Sequence, residues 1–370
     1  MTNNLSFHIF LKPSFLFQII SFCQLLNISY CPPIEEDIPE GKSLVIVAYN
    51  PLGWPRVDIV KIMVNDVNLV VKDSSGNTIK AQYVSLDNVT KNLRNFYAQA
   101  YLGQSPKQAP KYWLHFQVSV LSLGWNTYFV SKASSTGKNR NLLSKIKNPQ
   151  NDTIEVGPRD LKLTFSSTSG QLKQIYNSKT EVDVLIQQSY LWYGSSIGDS
   201  DSQVSTSCAM ASRAYIFRPS GAPPTIVSRS VPLKVIRGAL VDEIHQEFNS
   251  WIYQVTRLYK DKEHAEVEFT IGPIPIDDGV GKEVITRLAT NMETNKVFYT
   301  NSNGRDFLKR VRDYREDWSL SVTQPVAGNY YPLNLGIFMA DKKSELSVLV
   351  DCAAGGASIA DGQLELMLHR

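Results

Sequence analysis

Hydrophobic and polar residues alternate along many short stretches of the chain. Between Leu114 and Val120 the even-numbered residues are apolar, whereas His115, Gln117 and Ser119 are polar. A period of two residues is typical of a β-strand with one face in the core, so we expect these three polar side chains to face water. Similar stretches, with turn residues between them, occur at 44–49, 127–131, 161–165, 182–186, 225–236 and 346–350. Many short strands separated by turns predict an all-β protein built from sandwiches or barrels.

One stretch fits two kinds of secondary structure. Apolar residues between Ile244 and Leu258 recur at spacings of three and four, as in an amphipathic helix. The same stretch also fits a hairpin, with a strand at 251–259, a turn at 260–264 and a second, alternating strand after it. Because the hairpin accounts for both the turn residues and the partner strand, we favour it.

The composition of the chain changes near residue 150. A mostly polar run with Gly and Pro residues at 134–158 predicts a linker. We therefore expect a small β-sandwich domain at 41–150 and a larger β domain at 151–370. The remaining segment, 1–40, is apolar, and we expect it to be a short helical remnant.

Within that segment, the apolar stretch at 5–23 is broken by Lys12 and Pro13. The uninterrupted part is too short to cross a bilayer. It fits either the apolar core of a signal peptide or an amphipathic helix, and the lack of a preceding basic segment favours the helix.

The overall composition narrows the class of protein. Of the 370 residues, 43% are hydrophobic and 20% are charged, which is typical of a folded protein and excludes disorder. The 38 basic and 35 acidic residues give a net charge of +3. So small an excess of positive charge gives no electrostatic footprint for nucleic acid.

Candidate catalytic residues do not form a known site in the sequence. The five histidines lack the spacing of common metal sites, and no phosphate loop or serine nucleophile elbow is present. Adjacent carboxylates occur at Asp242-Glu243 and Asp277-Asp278. Neighbours on a strand point to opposite faces, so we expect surface charge there rather than a glycosidase pair. The aromatic run at 190–193 could stack on sugar rings, but core packing is its favoured use.

Cysteines and sequons would matter in a secretory compartment. Sequons occur at Asn4, Asn27, Asn88 and Asn151. Cys23 and Cys31 are spaced so that they could close a small disulfide loop in an oxidising environment. Cys208 and Cys352 show no metal spacing, and we expect them to be free thiols.

Several motifs occur together in one order along most of the chain. They are Asn50-Pro51-Leu52-Gly53-Trp54, Gly272-Pro273-Ile274-Pro275, Gly281-Lys282-Glu283-Val284, Phe298-Tyr299-Thr300-Asn301-Ser302-Asn303-Gly304-Arg305, Gly328-Asn329-Tyr330-Tyr331-Pro332, Gly355-Gly356-Ala357-Ser358 and Leu364-Glu365-Leu366-Met367-Leu368-His369-Arg370. In this order they resemble the C-terminal part of the lysosomal or vacuolar α-mannosidases of glycoside hydrolase family 38, most closely a plant type. The resemblance runs from about Cys23 to Arg370.

The resemblance implies a small β-sandwich followed by a large, galactose-mutarotase-like β-supersandwich. It also implies a family of retaining, zinc-dependent enzymes that remove α-linked mannose from glycans in the vacuole or lysosome. In that family an N-terminal barrel carries the catalytic carboxylates and the zinc ligands, and the barrel's His-Gly-Asp and His-His-Asp-Ala segments are not in this sequence. We therefore assign no catalytic or metal-binding residue, expect no zinc in this chain, and expect the chain alone to be inactive.

The resemblance also implies roles for a few residues. Tyr215 corresponds to a position at the edge of the substrate site. The segment from Cys23 to Cys31 is similar to the family's small disulfide loop, which carries a glycosylated Asn. Arg213 stands where the family usually has Gly, and we expect it to perturb the turn there if that Gly has a positive φ.

Two other functions remain open from the sequence. The chain could be a non-catalytic carbohydrate-binding or assembly module that pairs with a separate catalytic chain or binds mannosides through Trp192 and Tyr215. It could also be an unstable product without a function, since loss of the barrel would expose an apolar interface. The expected partners are α-mannoside glycans, with neither nucleic acid nor a membrane span.

Overall fold

A computed structural model of the protein confirms the all-β fold class. It describes residues 6–11, 30–31, 34, 37–103, 105, 109–133, 142–143, 145–147, 152–157, 159–198, 211–213 and 216–369. Most of the paired strands are antiparallel, and an α-helix, which we call α1, spans Asn88–Leu102. Among the described residues, no helix is long and apolar enough to cross a membrane.

The chain forms two compact units. The first unit contains Asn3–Lys147 and Val235–Glu243, and the second contains Asn148–Lys234 and Ile244–Arg370. The domain limits derived from the sequence stay predictions.

Most strands of the first unit form two sheets. Its strands are β1 (Ser6–Leu11), β2 (Ser43–Tyr49), β3 (Arg56–Val64), β4 (Leu69–Lys72), β5 (Thr78–Ile79), β6 (Ala81–Ser85), β7 (Tyr112–Val120), β8 (Trp125–Lys132), β9 (Leu142–Leu143) and β10 (Lys145–Lys147). One sheet has the order β1-β2-β8-β4-β5, and the other has the order β3-β7-β6-β9. Apolar side chains of both sheets share one core, in which Ile46, Leu114, Phe116 and Val130 are fully buried. This is the packing of a sandwich, in which the inner faces of two sheets interdigitate.

Residues 6–11 form a strand, where we expected part of a helix. β1 pairs with β2 in antiparallel register, with Ser6 opposite Tyr49 and Leu11 opposite Leu44. Aromatic and β-branched residues in this stretch favour a strand, and the edge of β2 supplies backbone partners for it. Most of the other residues of 1–40 lie outside the described residues.

Two expectations of solvent-exposed polar groups are wrong. His115 is fully buried, although Gln117 and Ser119 further along β7 are exposed. Asp242 and Glu243 are buried as well, and the His115 Nε2 atom lies 3.9 Å from the Glu243 Oε1 atom.

The cause of this burial is a segment from a distant part of the sequence. Gln82 on β6 is fully buried and lies opposite His115 in the β6–β7 register. Its side-chain oxygen accepts the backbone N–H groups of Leu240 and Val241, at 2.7 and 3.0 Å. The segment around residues 240–243 therefore covers the end of the β7 face that the alternation alone assigns to water.

The second unit contains the remaining strands. They are β11 (Thr153–Val156), β12 (Leu161–Ser166), β13 (Leu172–Asn177), β14 (Val182–Gly194), β15 (Thr225–Ile226), β16 (Leu233–Arg237), β17 (Val241–Asn249), β18 (Ile252–Tyr259), β19 (Ala265–Ile271), β20 (Lys282–Thr290), β21 (Val297–Ser302), β22 (Asp306–Val311), β23 (Tyr331–Leu333), β24 (Gly336–Ala340), β25 (Glu345–Leu349), β26 (Ala354–Ala357) and β27 (Gln363–His369). Of these strands, β16 ends in the first unit and β17 begins in it. The largest sheet has the order β11-β12-β13-β14-β20-β27-β26-β23, and β15 also pairs with β14. A four-stranded sheet has the order β22-β21-β24-β25.

The structure confirms the hairpin in the ambiguous stretch. β18 and β19 pair antiparallel, with Ile252 opposite Ile271 and Leu258 opposite Ala265. Almost every residue of β18 is buried. A strand covered on both faces reads as a continuous apolar run, which explains why the sequence also fits a helical spacing.

A connected set of buried amides lies in the second unit. The side chains of Gln254 and Gln188 exchange two hydrogen bonds, at 2.8 and 3.0 Å, and the Tyr190 hydroxyl donates to Gln254 at 2.6 Å. Gln254 also donates to Gln246 at 3.1 Å, and Gln246 donates to the backbone oxygen of Gly170 at 2.7 Å. Because buried polar groups are costly unless they are paired, this set fixes β14, β17, β18 and the turn at Gly170 in one arrangement.

Candidate functional site

The segment at 212–217, which we call the Tyr215 segment, is held at both of its ends. Arg213 and Ile216 exchange two backbone hydrogen bonds, each 3.0 Å long. The Ser212 hydroxyl donates to the Ile216 oxygen at 3.1 Å and accepts the Arg218 N–H at 3.3 Å. Tyr215 itself lies outside the described residues, so its role at a substrate edge stays a prediction.

The expectation of a perturbed turn at Arg213 is not supported by its backbone. Arg213 is not among the non-glycine residues with a positive φ. Its φ therefore does not require glycine, and the backbone strain that we expected from this departure is not present.

Phe217 anchors the segment on a buried aromatic cluster. Its ring meets the ring of Tyr193 edge-on at 5.8 Å and the ring of Tyr330 edge-on at 5.4 Å. The same cluster includes buried Leu191, Tyr193 and Ile285, with Val326 and Met367 packed against it. Edge-on aromatic pairs contribute about 0.5–1.5 kcal/mol each beyond the area that they bury.

A fully buried carboxylate, Glu365, lies under this cluster. It accepts hydrogen bonds from the Tyr193 hydroxyl at 3.0 Å, from the Tyr330 hydroxyl at 2.8 Å and from Arg287 Nε at 2.7 Å. We call these four residues the Glu365 cluster. Three acceptor contacts, one of them from a cation, compensate for the removal of a carboxylate from water.

Strand pairing brings the Glu365 cluster together. β14, β20 and β27 are adjacent in the large sheet, and Arg287 lies directly opposite Glu365 in the β20–β27 register. Side chains opposite each other on neighbouring strands are in contact range. Tyr330 follows a short 3-10 turn at Ala327–Asn329 and leads into β23. The cluster therefore joins three strands to the Tyr215 segment through Phe217.

Burial governs the ionisation of the two tyrosines. Burial, and then the nearby charge of Glu365, raises the pKa of Tyr193 and of Tyr330 above the ordinary value for a phenol. Both hydroxyls therefore stay protonated and keep donating to the carboxylate at physiological pH.

This ionisation has a testable consequence at alkaline pH. In the unfolded chain these phenols lose protons near pH ~10, whereas in the folded chain their pKa is raised, so the stability they contribute is present below pH ~10 and is lost as the pH rises further. In a titration followed by phenolate absorbance near pH ~10.5, we expect the folded chain to show fewer ionised tyrosines, of its 17, than the unfolded chain at the same pH. Replacing Tyr330→Phe should leave the absorbance curve of the folded chain unchanged, because this phenol stays protonated in the folded chain. A smaller phenolate absorbance in folded Tyr330→Phe than in the folded wild type would show that the Tyr330 phenol is not protected from ionisation.

The Glu365 cluster supports a structural role rather than acid–base catalysis. A retaining glycosidase needs two carboxyl groups about 5–5.5 Å apart across a cleft. The hydrogen-bond partners of Glu365 are instead a guanidinium and two phenols. Among the residues that the structure covers, no group of three or more His, Cys, Asp or Glu could hold a metal ion.

The aromatic run at 190–193 is used in the core, as favoured from the sequence. Tyr190, Leu191 and Tyr193 are buried. Trp192 is half-buried, packs against a core cluster and has the Lys282 ammonium 5.3 Å from its ring centre. Its ring is therefore largely occupied by protein contacts.

The other residues singled out from the sequence are scattered. Asn88 is exposed at the first position of α1, directly after the capping residue Asp87. Cys31 is buried, and Cys352 is exposed and free, as expected. The others, namely Asn4, Asn27, Asn151, Cys23 and Cys208, lie outside the described residues.

Sequence reasoning missed the Glu365 cluster, although one signal was available. Leu364, Glu365 and Leu366 are consecutive and all buried. In an alternating strand with one face in water, a charge between two leucines is assigned to solvent. A glutamate inside a strand that is covered on both faces instead indicates a buried, paired carboxylate.

Comparison with known proteins places the chain in a family. Residues 156–370 match the family described as Glycosyl hydrolases family 38 C-terminal domain. The chain is 64% identical over 352 residues to an alpha-mannosidase of Canavalia ensiformis. The matched stretch covers 95% of this chain and 35% of that protein. It is 55% identical over 379 residues to a probable alpha-mannosidase of Arabidopsis thaliana, with 97% and 35% covered. It is 39% identical over 355 residues to the lysosomal alpha-mannosidase of Mus musculus, with 95% and 32% covered.

The chain thus spans about a third of the length of the curated relatives that it matches. The family match covers the strands that build the Glu365 cluster. With its C-terminal domain matched over more than half of its length, the chain belongs to glycosyl hydrolase family 38 and corresponds to a C-terminal portion of the alpha-mannosidases.

Proposed function

We propose that this chain supplies the β-sandwich portion of a family 38 α-mannosidase, and that the Tyr215 segment lies at the edge of its mannose site. The family activity is the hydrolysis of terminal α-mannosyl residues during glycan catabolism. One observation carries the proposal: the Tyr215 segment is tied at its base and fixed through Phe217 on the buried Glu365 cluster. A sugar-contacting side chain gains from such support, because its position is set before the substrate arrives.

By this proposal, the chain has no hydrolytic activity of its own. Family 38 hydrolysis needs a zinc ion and two carboxylates. Two observations support the proposal: the described residues hold no candidate metal-binding group, and Glu365 is already fully used by Arg287 and two tyrosines.

A chromogenic α-mannoside tests this part of the proposal. We expect the purified chain, with and without added zinc, to release no more mannose than a heat-denatured sample at either acidic or neutral pH. A preparation from the same host without the chain, purified in the same way, controls for a contaminating mannosidase. Mannose release by the wild-type chain above that of this preparation would overturn the proposal.

A non-catalytic carbohydrate-binding role is the second candidate. Several aromatic side chains are exposed in the described residues, among them Trp54 and Trp318, which are 58% and 61% exposed. An exposed aromatic ring can stack on the C–H face of a sugar. This role is compatible with the first proposal, because a glycan-facing edge can bind sugar without hydrolysing it. Pairing with a separate catalytic chain is part of the same alternative.

Location and covalent modification complete the proposal. The mouse and human relatives are named lysosomal alpha-mannosidases, and we propose a lysosomal or vacuolar location for this chain. In that compartment Cys23 and Cys31 would pair, and Asn27, Asn88 and Asn151 would accept glycans. Burial of Cys31 and exposure of Asn88 support these assignments. Mass spectrometry of the unreduced, secreted chain would detect the disulfide peptide and the glycans.

A further inference from the structure

We propose that a second sugar-contacting element lies beside the Tyr215 segment, namely the loop at 313–329, with the Trp318 indole as its stacking surface. The ligand class is an α-linked mannose oligosaccharide. This inference rests on the proposed function, since it takes the Tyr215 segment as the edge of a mannose site.

The loop is closed at its base by one buried side chain. Asn329 is 2% exposed, and its amide nitrogen donates to the Asp313 carboxylate at 2.7 Å and to the Pro325 oxygen at 2.8 Å. Its amide oxygen accepts the Asp313 N–H at 3.0 Å. Arg315 also donates to the Gly328 oxygen at 2.8 Å, across the loop. These bonds keep the two ends of the loop together.

The loop and the Tyr215 segment start from the same buried support. Val326, near the end of the loop, packs in the same apolar cluster as Phe217. Tyr330, directly after the loop, contacts the Phe217 ring at 5.4 Å and donates to Glu365 at 2.8 Å. Two segments that are anchored on one cluster have fixed positions relative to each other, as the walls of a binding site require.

The outer part of the loop has the chemistry that sugars bind. Tyr314 is 54% exposed and Trp318 is 61% exposed. Glu316, Asp317 and Ser319 are exposed as well. An aromatic face accepts the C–H face of a pyranose, while neighbouring carboxylates and hydroxyls can accept hydrogen bonds from sugar hydroxyls.

The test is a titration of the full chain with a branched α-linked mannotriose in the millimolar range, followed by saturation-transfer-difference NMR. We expect Trp318→Ala to weaken binding at least about fivefold and Trp318→Tyr to retain most of it, since tyrosine keeps an aromatic face. The matched control is Trp125→Ala, because Trp125 is 72% exposed but lies in the other unit. We expect it to bind like the wild type. Circular dichroism of each variant checks that the fold is retained.

Three results would overturn the inference. The first is that the wild-type chain does not bind the mannotriose, and the second is that Trp318→Ala binds it as tightly as the wild type. The third is that the wild-type chain self-associates in light scattering and that Trp318→Ala becomes monomeric without a change in sugar binding, because the indole would then contact a second copy. None of these outcomes contradicts the proposal that the chain has no hydrolytic activity of its own. That proposal fails only if the chain itself releases mannose.

Discussion

Replacing Glu365→Ala is expected to lower the free energy of unfolding by about 4 kcal/mol, because it breaks a buried ion pair by removing one partner. Glu365 is fully buried, and its carboxylate neutralises Arg287, whose side chain is only 23% exposed. The substitution would also leave the Tyr193 and Tyr330 hydroxyls without their acceptor. An unsatisfied buried donor costs about 1–3 kcal/mol, and the cavity left by the side chain adds to the loss.

Urea unfolding followed by circular dichroism measures this effect. Glu316→Ala is the matched control, because Glu316 is an exposed glutamate in the same unit. We expect the control to change the free energy of unfolding by less than about 0.5 kcal/mol. If Glu365→Ala lowered the free energy of unfolding by no more than its control does, the Glu365 cluster would not stabilise the fold.

Replacing Gly170→Ala is expected to lower the free energy of unfolding by about 3 kcal/mol, from backbone strain together with overpacking. Gly170 has a φ of +65°, a conformation that L-residues other than glycine rarely adopt. A Cβ at this position would lie 1.9 Å from the backbone oxygen of Val231, and a backbone atom cannot move aside as a side chain can. A shift there would also disturb the hydrogen bond from Gln246 to the Gly170 oxygen.

A second glycine separates the two causes. Gly279 has a φ of +68°, and no neighbouring atom lies within 4 Å of the place that an alanine methyl group would take. Gly279→Ala therefore carries the backbone strain without the clash, and we expect it to cost about 1 kcal/mol. If urea unfolding showed the same decrease in the free energy of unfolding for Gly170→Ala and Gly279→Ala, the close contact with the Val231 oxygen would contribute nothing to that decrease.

The alternation of apolar residues predicts several of the strands in the described residues. The stretch from Leu114 to Val120 lies within β7, and the hairpin of β18 and β19 follows from its turn residues. The period of two reports local geometry, which each strand carries in its own sequence. For the same reason the alternation failed at His115, since its burial is caused by a segment more than 120 residues away in sequence.

The candidate site could be predicted only in part. The resemblance located the Tyr215 segment, because its motif is local. It did not reveal the support beneath, since Tyr193, Arg287 and Glu365 lie on three strands whose adjacency is set by the order of the sheet. No pairwise spacing in the sequence encodes that order. The strand at 6–11 was missed for a related reason, as its partner edge on β2 lies more than 30 residues away.

The central claim is that the Glu365 cluster holds the Tyr215 segment in place, and hydrogen–deuterium exchange at that segment tests it most directly. The amides to follow are those of Arg213 and Ile216, which bond to each other's backbone oxygens. In Glu365→Gln, which keeps the size of the side chain but removes its charge, we predict faster exchange of these two amides than in the wild type. In Glu316→Gln we predict wild-type exchange. Equal protection of Arg213 and Ile216 in Glu365→Gln and in the wild-type chain would contradict the claim.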